Sequence, residues 1–265
     1  MQKTSENNID RFRERGFLRL PEHLPAALCE DVCAEIWQRL EKQGFRQSEP
    51  DTWSDAYSHG FKLKRIRRSI QLEKLYTNEI RTLAENLLNE PIAREDKQNL
   101  LLTFPDSVTR DYVAESGLNA VAWHTDCPRI PNVGSPGMIV LTFLNDVVPG
   151  GGGTYILAGS HRIGDAKSSI VRSKQLKRYL NRCELFKQLT RQNPDGTVDF
   201  RGKCELFDGV RLEVVELSGK TGDVVMVDGR MLHAIASNKT DTPRLMSRGF
   251  FFTRSFMAHY SMGQA

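Results

Sequence analysis

A series of short β-type runs from Asn99 onward restricts the fold of this chain more than any other feature. The runs are LLLTF (100–104), NAVAWH (119–124), MIVLTFL (138–144), TYILA (154–158), LEVVEL (212–217), DVVMV (223–227) and RGFFFT (248–253). Turn segments rich in glycine and proline, such as PNVGSPG and PGGGG, separate them. Because the runs are not joined by helices at the spacing of βαβ units, they predict a β-sandwich or barrel.

Helical periodicity is confined to three stretches. Two of them, 28–44 and 72–88, precede the strands and carry apolar residues on one face. The third, SKQLKRYLNRCELFKQL (173–189), interrupts the strand region and places Leu176, Leu180 and Cys183 on a shared face. Residues 1–98 are therefore predicted to be mostly helical.

Composition excludes several classes of protein. With 265 residues and 39% hydrophobic content, the chain is long enough to bury a large core. Its net charge of +4, from 37 basic and 33 acidic residues, is too small to indicate a nucleic-acid partner. The polar N-terminus and the lack of a long apolar run predict a cytoplasmic protein without a membrane partner. Five cysteines without a CxxC pair indicate neither a disulfide framework nor a cysteine zinc site.

The segment WHTD places two polar side chains at the end of an apolar run. In a strand, alternate residues share a face, so His124 and Asp126 are expected to point the same way. His233, which follows another β-type run, is the best third candidate. Two imidazoles and a carboxylate are typical of non-haem Fe(II) oxygenases, although zinc also accepts such ligands. A bare HxD pair also occurs by chance, in which case its histidine lies in the core or on the surface.

Arg244 follows His233 by 11 residues and begins the next β-type run. A guanidinium forms two parallel hydrogen bonds with a carboxylate, which suits it to hold the far end of a dicarboxylate co-substrate. The alternative is a surface arginine that follows a turn.

Three motifs together resemble the phytanoyl-CoA dioxygenase family of Fe(II)/2-oxoglutarate-dependent oxygenases. They are WHTD, GGGGTYILAGSHR and GDVVMVDGRMLHAIASNKTDTPR, and RFRERGFLRLPEHLP (11–25) is similar to the opening segment of that family. The resemblance implies an α+β, mainly β fold: a double-stranded β-helix, or cupin-like jelly roll, supported by N-terminal helices. It further implies that His124, Asp126 and His233 bind iron, that Arg244 anchors 2-oxoglutarate, and that Thr142 is another co-substrate contact.

The activity that the resemblance implies is hydroxylation of an unactivated C–H bond of a small molecule. The reaction would use Fe(II), 2-oxoglutarate and O2, release succinate and CO2, and benefit from ascorbate in vitro. Desaturation, cyclisation and epoxidation are alternative outcomes. A non-catalytic jelly-roll module that binds a small acidic ligand or a partner is the alternative of a different class. The oligomeric state is left open.

Further residues have two interpretations each. Trp123 either stacks on substrate or belongs to the core, and Arg248 either holds an anionic substrate group or pairs with a surface carboxylate. His161 is expected to be structural, and His259 to be a packing or surface residue. The glycines at 150–153 lack the lysine and spacing of a phosphate-binding loop, so they predict a tight turn.

Residues 1–265 are expected to form one domain, with helical support at 1–98 and a jelly-roll core at 99–258. An insertion at about 163–211 is longer than the family pattern. Its helical periodicity favours a mobile cover over the iron that selects the substrate, and the alternative is a peripheral decoration.

Overall fold

The computed structural model describes residues 6–53, 66, 72–105, 123–130, 133–163, 170–191 and 199–262. The helices are α1 (Glu6–Arg15), α2 (Ala26–Glu41), α3 (Asn78–Leu88), α4 (Ser173–Leu180), α5 (Glu184–Arg191) and α6 (Arg254–Met262). The strands are β1 (Phe17–Leu20), β2 (Ile92–Thr103), β3 (Gly137–Phe143), β4 (Thr154–Ala158), β5 (Cys204–Phe207), β6 (Val210–Leu217), β7 (Val224–Asp228), β8 (His233–Ile235) and β9 (Arg244–Thr253). None of the helices in these ranges has the length and apolar character needed to cross a lipid bilayer.

Two antiparallel sheets face each other and form the jelly roll that the family resemblance implies. The larger sheet has the order β1-β7-β3-β9-β2, and the smaller has the order β5-β6-β4-β8. Most of the predicted runs correspond to strands, and the predicted limits of TYILA are those of β4. In the run NAVAWH, residues 119–122 lie outside the described part of the chain.

The interior between the two sheets is filled by every second side chain of the central strands. Ile139, Leu141 and Phe143 of β3 meet Ile156 and Ala158 of β4 in one buried cluster. Because strand residues alternate between faces, their neighbours along β3 point to the other side of the larger sheet. This alternation decides which side chains can reach a site between the sheets.

The outer face of the larger sheet packs against the N-terminal helices. Met138 and Val140 of β3 share a buried cluster with Val32 and Ile36 of α2 and with Ile80 of α3. The N-terminal region is less purely helical than predicted, because β1 pairs with β7 along its whole length. Its four residues are too few to show a period, and only the pairing partner defines them as a strand.

Helix α3 begins six residues later than the start of the predicted stretch 72–88. The hydroxyl of Thr77 accepts a hydrogen bond from the amide of Ile80 at 3.2 Å, as an N-cap does. Residues Glu73–Leu75 form a separate 3-10 turn before it.

The insertion packs on the smaller sheet instead of covering the site. Leu176, Leu180 and Cys183 are buried on one face, as predicted, and they share a cluster with Leu157 of β4 and Val214 of β6. These strand residues point away from the interior, so α4 and α5 close the outer face of the smaller sheet. The described part of the insertion therefore does not form the expected cover over the iron. Residues 164–169 and 192–198 of the insertion lie outside the described part.

The helical stretch predicted at 173–189 is two helices. The carboxylate of Glu205, on β5, accepts hydrogen bonds from the amides of Glu184 at 3.3 Å and Leu185 at 2.6 Å. It satisfies amide groups in the first turn of α5 that have no partner within the helix. Helix α5 thus starts where Glu205 of β5 caps it. The local sequence around the start of α5 does not reveal this cap.

Candidate active site

His124 and His233 lie side by side across an antiparallel bridge. The amide of each donates to the carbonyl of the other at 2.9 Å. Their ring centroids are 4.3 Å apart. His233 also pairs with Ile156 of β4, an interior residue, so both imidazoles lie on the interior face of the smaller sheet.

Asp126 completes the group from a bend instead of from a strand. One carboxylate oxygen lies 3.8 Å from Nε2 of His124, and the other lies 3.8 Å from Nε2 of His233. Donor atoms of the three residues all lie within 4.8 Å of one another. The structure therefore brings together the three residues that the sequence predicts as metal ligands.

The state of His233 suits it to bind a metal ion. Burial lowers the pKa of its imidazole, although the Asp126 carboxylate acts in the opposite direction, so the neutral form is favoured. Nδ1 lies 3.0 Å from the carbonyl oxygen of Met231. Since a carbonyl only accepts, Nδ1 carries the proton and Nε2 presents its lone pair toward Asp126. Two imidazoles and a carboxylate, gathered at one point, form a donor set that fits Fe(II).

Arg248 contacts the carboxylate of this group. Its Nη1 donates a hydrogen bond to Asp126 at 2.9 Å. The sequence left two interpretations for Arg248: that it holds an anionic substrate group, or that it pairs with a surface carboxylate. Arg248 does pair with a carboxylate, but that carboxylate lies in the site and not on the surface. The contact holds one oxygen of Asp126 in place.

Arg244 is buried further along the same strand. It is 2% exposed, and its Nη1 lies 3.5 Å from the hydroxyl oxygen of Thr154, on the interior face of the smaller sheet. Arg244 and Arg248 are four residues apart on β9 and so share a face. At about 3.3 Å per residue, roughly 13 Å of strand separates them, so Arg244 lies along the interior from the metal group and not against it.

Thr142 and Trp123 lie outside this interior. Thr142 pairs with Ser247 and alternates with Leu141 and Phe143, so its side chain faces the helical layer. This placement gives no support to the expected co-substrate contact. Trp123 is buried in the cluster on the outer face of the smaller sheet and stacks on Tyr155, with ring centroids 6.4 Å apart. Its position is that of a core tryptophan.

His161 and the glycine run make structural contacts, and His259 lies on the surface. Nε2 of His161 lies 3.0 Å from the carbonyl oxygen of Arg13, while His259 is exposed on α6. The amides of Gly150 and Gly153 donate to the buried carboxylate of Glu216 at 2.9 and 3.3 Å. The carboxylate of Glu216 therefore occupies the turn formed by residues 150–153. This agrees with the interpretation of the glycine run as a structural turn and not a phosphate-binding loop.

Ser173 is a residue near the site that sequence reasoning misses. Its hydroxyl oxygen accepts a hydrogen bond of 2.6 Å from the amide of Thr125, which lies between the two candidate ligands of the WHTD segment. The two positions are 48 residues apart, and no local pattern marks a serine at the start of a helix as part of a metal site.

Comparison with known families agrees with this geometry. The sequence profile of the phytanoyl-CoA dioxygenase family matches residues 12–246, which include all three candidate ligands and Arg244. The chain belongs to the phytanoyl-CoA dioxygenase family. Comparison with curated protein sequences finds no match.

Several solved structures share the fold of this family member. AviO1 from Streptomyces viridochromogenes Tue57 superposes with a TM-score of 0.56 at 18% identity, over 96% of this chain and 98% of AviO1. SnoN, an α-ketoglutarate-dependent epimerase from nogalamycin biosynthesis, gives 0.51 at 18% identity, over 94% and 82% of the two chains. HygX from Streptomyces hygroscopicus, solved with nickel and 2-oxoglutarate, gives 0.52 at 14% identity, over 94% and 87%. At these identities the likeness concerns the fold.

Proposed function

We propose that this protein is an Fe(II)- and 2-oxoglutarate-dependent dioxygenase that hydroxylates an unactivated C–H bond of a small molecule. The observation that carries the proposal is the convergence of His124, Asp126 and His233, with donor atoms within 4.8 Å of one another. They lie at the interior of a jelly roll that also buries Arg244. Membership of the phytanoyl-CoA dioxygenase family supports the same assignment.

The three side chains would hold the metal ion. The HExxH spacing common in zinc hydrolases is missing from the sequence, so the donor set favours iron over zinc. Bound Fe(II) and 2-oxoglutarate would supply the oxidative chemistry, in which oxidation of a substrate C–H bond is coupled to conversion of 2-oxoglutarate and O2 into succinate and CO2. The protein's part is to hold the reactants and keep bulk water away.

Arg244 would hold the distal carboxylate of 2-oxoglutarate. A buried guanidinium binds a carboxylate strongly because water screens the pair weakly. The Thr154 hydroxyl, 3.5 Å from Arg244, is a second polar group at that end of the interior. The keto-acid end would then point toward the candidate metal ligands.

The substrate would approach from the side of His124. The side chain of His124 is 46% exposed, whereas that of His233 is 10% exposed. Ile235 lies two residues beyond His233 on the same face of β8 and is 61% exposed. An exposed apolar side chain beside the site suits a substrate with an apolar portion.

Hydroxylation is the simplest outcome, because it needs no second substrate group within reach. SnoN is described as an epimerase and SnoK, from the same biosynthesis, as a carbocyclase. Structures of similar fold contain nogalamycin RO in SnoN and hygromycin B in HygX. These neighbours support a small-molecule substrate and make epimerisation and ring closure the outcomes to test beside hydroxylation.

The test is a substrate screen that measures succinate formation. Purified protein is incubated with Fe(II), 2-oxoglutarate, ascorbate and O2, and with amino acids, acyl thioesters or natural-product scaffolds. We expect succinate formation that depends on iron and rises with one substrate class, whose product gains one oxygen atom by mass spectrometry.

Variants at the metal ligands complete the test. The substitutions His124→Ala and His233→Ala should abolish succinate formation, whereas His259→Ala, on the surface, should not. A product of unchanged composition would indicate epimerisation instead of hydroxylation. A product two hydrogen atoms lighter than the substrate would indicate ring closure or desaturation. A wild-type protein that binds no iron and forms no succinate would refute the proposal and favour a non-catalytic binding module.

A further inference from the structure

The insertion reaches the candidate metal centre through one hydroxyl group. Ser173, the first residue of α4, accepts a hydrogen bond from the amide of Thr125 at 2.6 Å. Its hydroxyl oxygen also lies 3.0 Å from that of Thr125. Thr125 stands between His124 and Asp126, so this contact bears directly on the spacing of the two ligands.

The hydrogen bonds form a chain that spans Asp126. The hydroxyl of Thr125 donates to the carbonyl oxygen of Cys127 at 3.2 Å. With the Thr125 proton committed to Cys127, the Ser173 hydroxyl donates to Thr125 and accepts from its amide. Every donor in this chain has one acceptor, and the bond from Thr125 to Cys127 closes the bend at Asp126.

A second contact holds the other side of the same bend. The amide of Arg129 donates to the carbonyl oxygen of Val171 at 2.7 Å. Residues 125–129 are thereby attached at both ends to residues 171–173 of the insertion. Leu176 and Leu180 anchor α4 in the buried cluster that also contains Trp123, so the insertion offers a firm support.

Asp126 needs this support more than the histidines do. His124 and His233 are joined by two backbone hydrogen bonds of 2.9 Å. Asp126 lies in a bend, where no strand pairing sets the direction of its side chain. Small shifts of a ligand weaken a metal site, and residues that orient ligands commonly affect metal affinity strongly.

We infer that Ser173 is a positioning residue of the metal centre, which holds the bend at Thr125 and thereby directs the Asp126 carboxylate at the metal ion. The inference rests on the proposed function. It assigns the insertion a role in metal binding from behind the smaller sheet, in place of the predicted role as a cover.

The experiment measures metal binding by the apo-protein. Wild type and the variant Ser173→Ala are titrated with Co(II), and the ligand-field spectrum of the bound ion is recorded. We expect Ser173→Ala to weaken Co(II) binding by roughly 10-fold and to shift the spectrum, because the bend that carries Asp126 loses its support from the insertion and only the Arg248 contact still directs the carboxylate. The variant Ser173→Thr, which keeps the hydroxyl, should restore both.

A second pair of variants keeps the test informative if Ser173→Ala folds poorly. Thr125→Val preserves shape and removes the hydroxyl bonded to Cys127 and Ser173, so it should also weaken Co(II) binding. The matched control is Thr190→Val on α5, whose hydroxyl donates to the carbonyl of Phe186 at 2.9 Å, within its own helix. It should bind Co(II) as wild type does.

The outcomes separate this inference from the proposed function. Wild-type Co(II) affinity and spectrum in both Ser173→Ala and Thr125→Val would overturn the role of Ser173. The variant His233→Ala, measured in parallel, tests the metal site itself. If His233→Ala also bound Co(II) normally, the proposed metal site would fail, whatever Ser173 does.

Discussion

Replacing Arg244 by alanine tests the assignment of the co-substrate anchor. Arg244 is 2% exposed, so solvent screens a partner carboxylate weakly, in contrast to Arg248, whose side chain is 35% exposed. Truncating one partner of a buried, hydrogen-bonded charge pair costs about 2–5 kcal/mol, which corresponds to a loss of roughly 30- to 4000-fold in 2-oxoglutarate affinity.

The assay is calorimetric titration of 2-oxoglutarate into the Ni(II)-loaded protein, which excludes turnover. The Michaelis constant for 2-oxoglutarate, from succinate formation, should rise in parallel. Arg244→Lys keeps the charge but loses the fork of two donors, so it should fall between wild type and Arg244→Ala. Arg254→Ala removes an exposed arginine just beyond β9 and serves as the matched control.

An unchanged 2-oxoglutarate affinity in Arg244→Ala would refute this reasoning. Loss of affinity in Arg248→Ala with none in Arg244→Ala would move the anchor to Arg248, despite its contact with Asp126. Metal affinity should hardly change in Arg244→Ala, because Arg244 lies about 13 Å along β9 from Arg248, which contacts the candidate metal group.

Three further predictions concern the site and the fold. His233→Ala should lose nearly all bound iron by metal analysis while His259→Ala retains it; equal iron contents would contradict the ligand assignment. Asp228→Asn should lower the free energy of unfolding near pH 7 by about 1–3 kcal/mol, because burial opposes ionisation of this carboxylate but its arginine neighbour lowers its pKa below the usual value. Because the pKa of Asp228 is lower in the folded state, its carboxylate stabilises the fold at pH values above the unfolded pKa of about 3.9. The difference in free energy of unfolding between wild type and Asp228→Asn should therefore shrink as the pH falls below that value, which denaturant titrations at several pH values will measure. A difference that does not depend on pH would contradict this prediction. Gly249→Ala should destabilise the protein by about 1–3 kcal/mol, because the added methyl would lie 0.9 Å from the buried hydroxyl oxygen of partly buried Tyr76; an unchanged denaturation midpoint would mean that Tyr76 moves aside at little cost.

The strands and the chemistry of the site are readable in the sequence because they depend on local pattern. Val224–Asp228 forms β7 one residue from the predicted limits, since a short apolar run bounded by turn residues has few other ways to be buried. His124, Asp126, His233 and Arg244 are identified by residue type and spacing. Ligand chemistry belongs to the side chains themselves, so these residues indicate a metal and a carboxylate before any fold is known.

The tertiary structure alone decided which of these groups meet and on which face. Thr142 has a suitable side chain in a correctly predicted strand, yet the strand's alternation turns it toward the helices. Arg248 finds its carboxylate partner 122 positions away, at the candidate metal ligand Asp126. Ser173 and Glu205 act on segments that local sequence does not link to them. Such contacts depend on strand register and on how the two sheets and the insertion pack, and a shift of one residue in register moves every side chain to the opposite face.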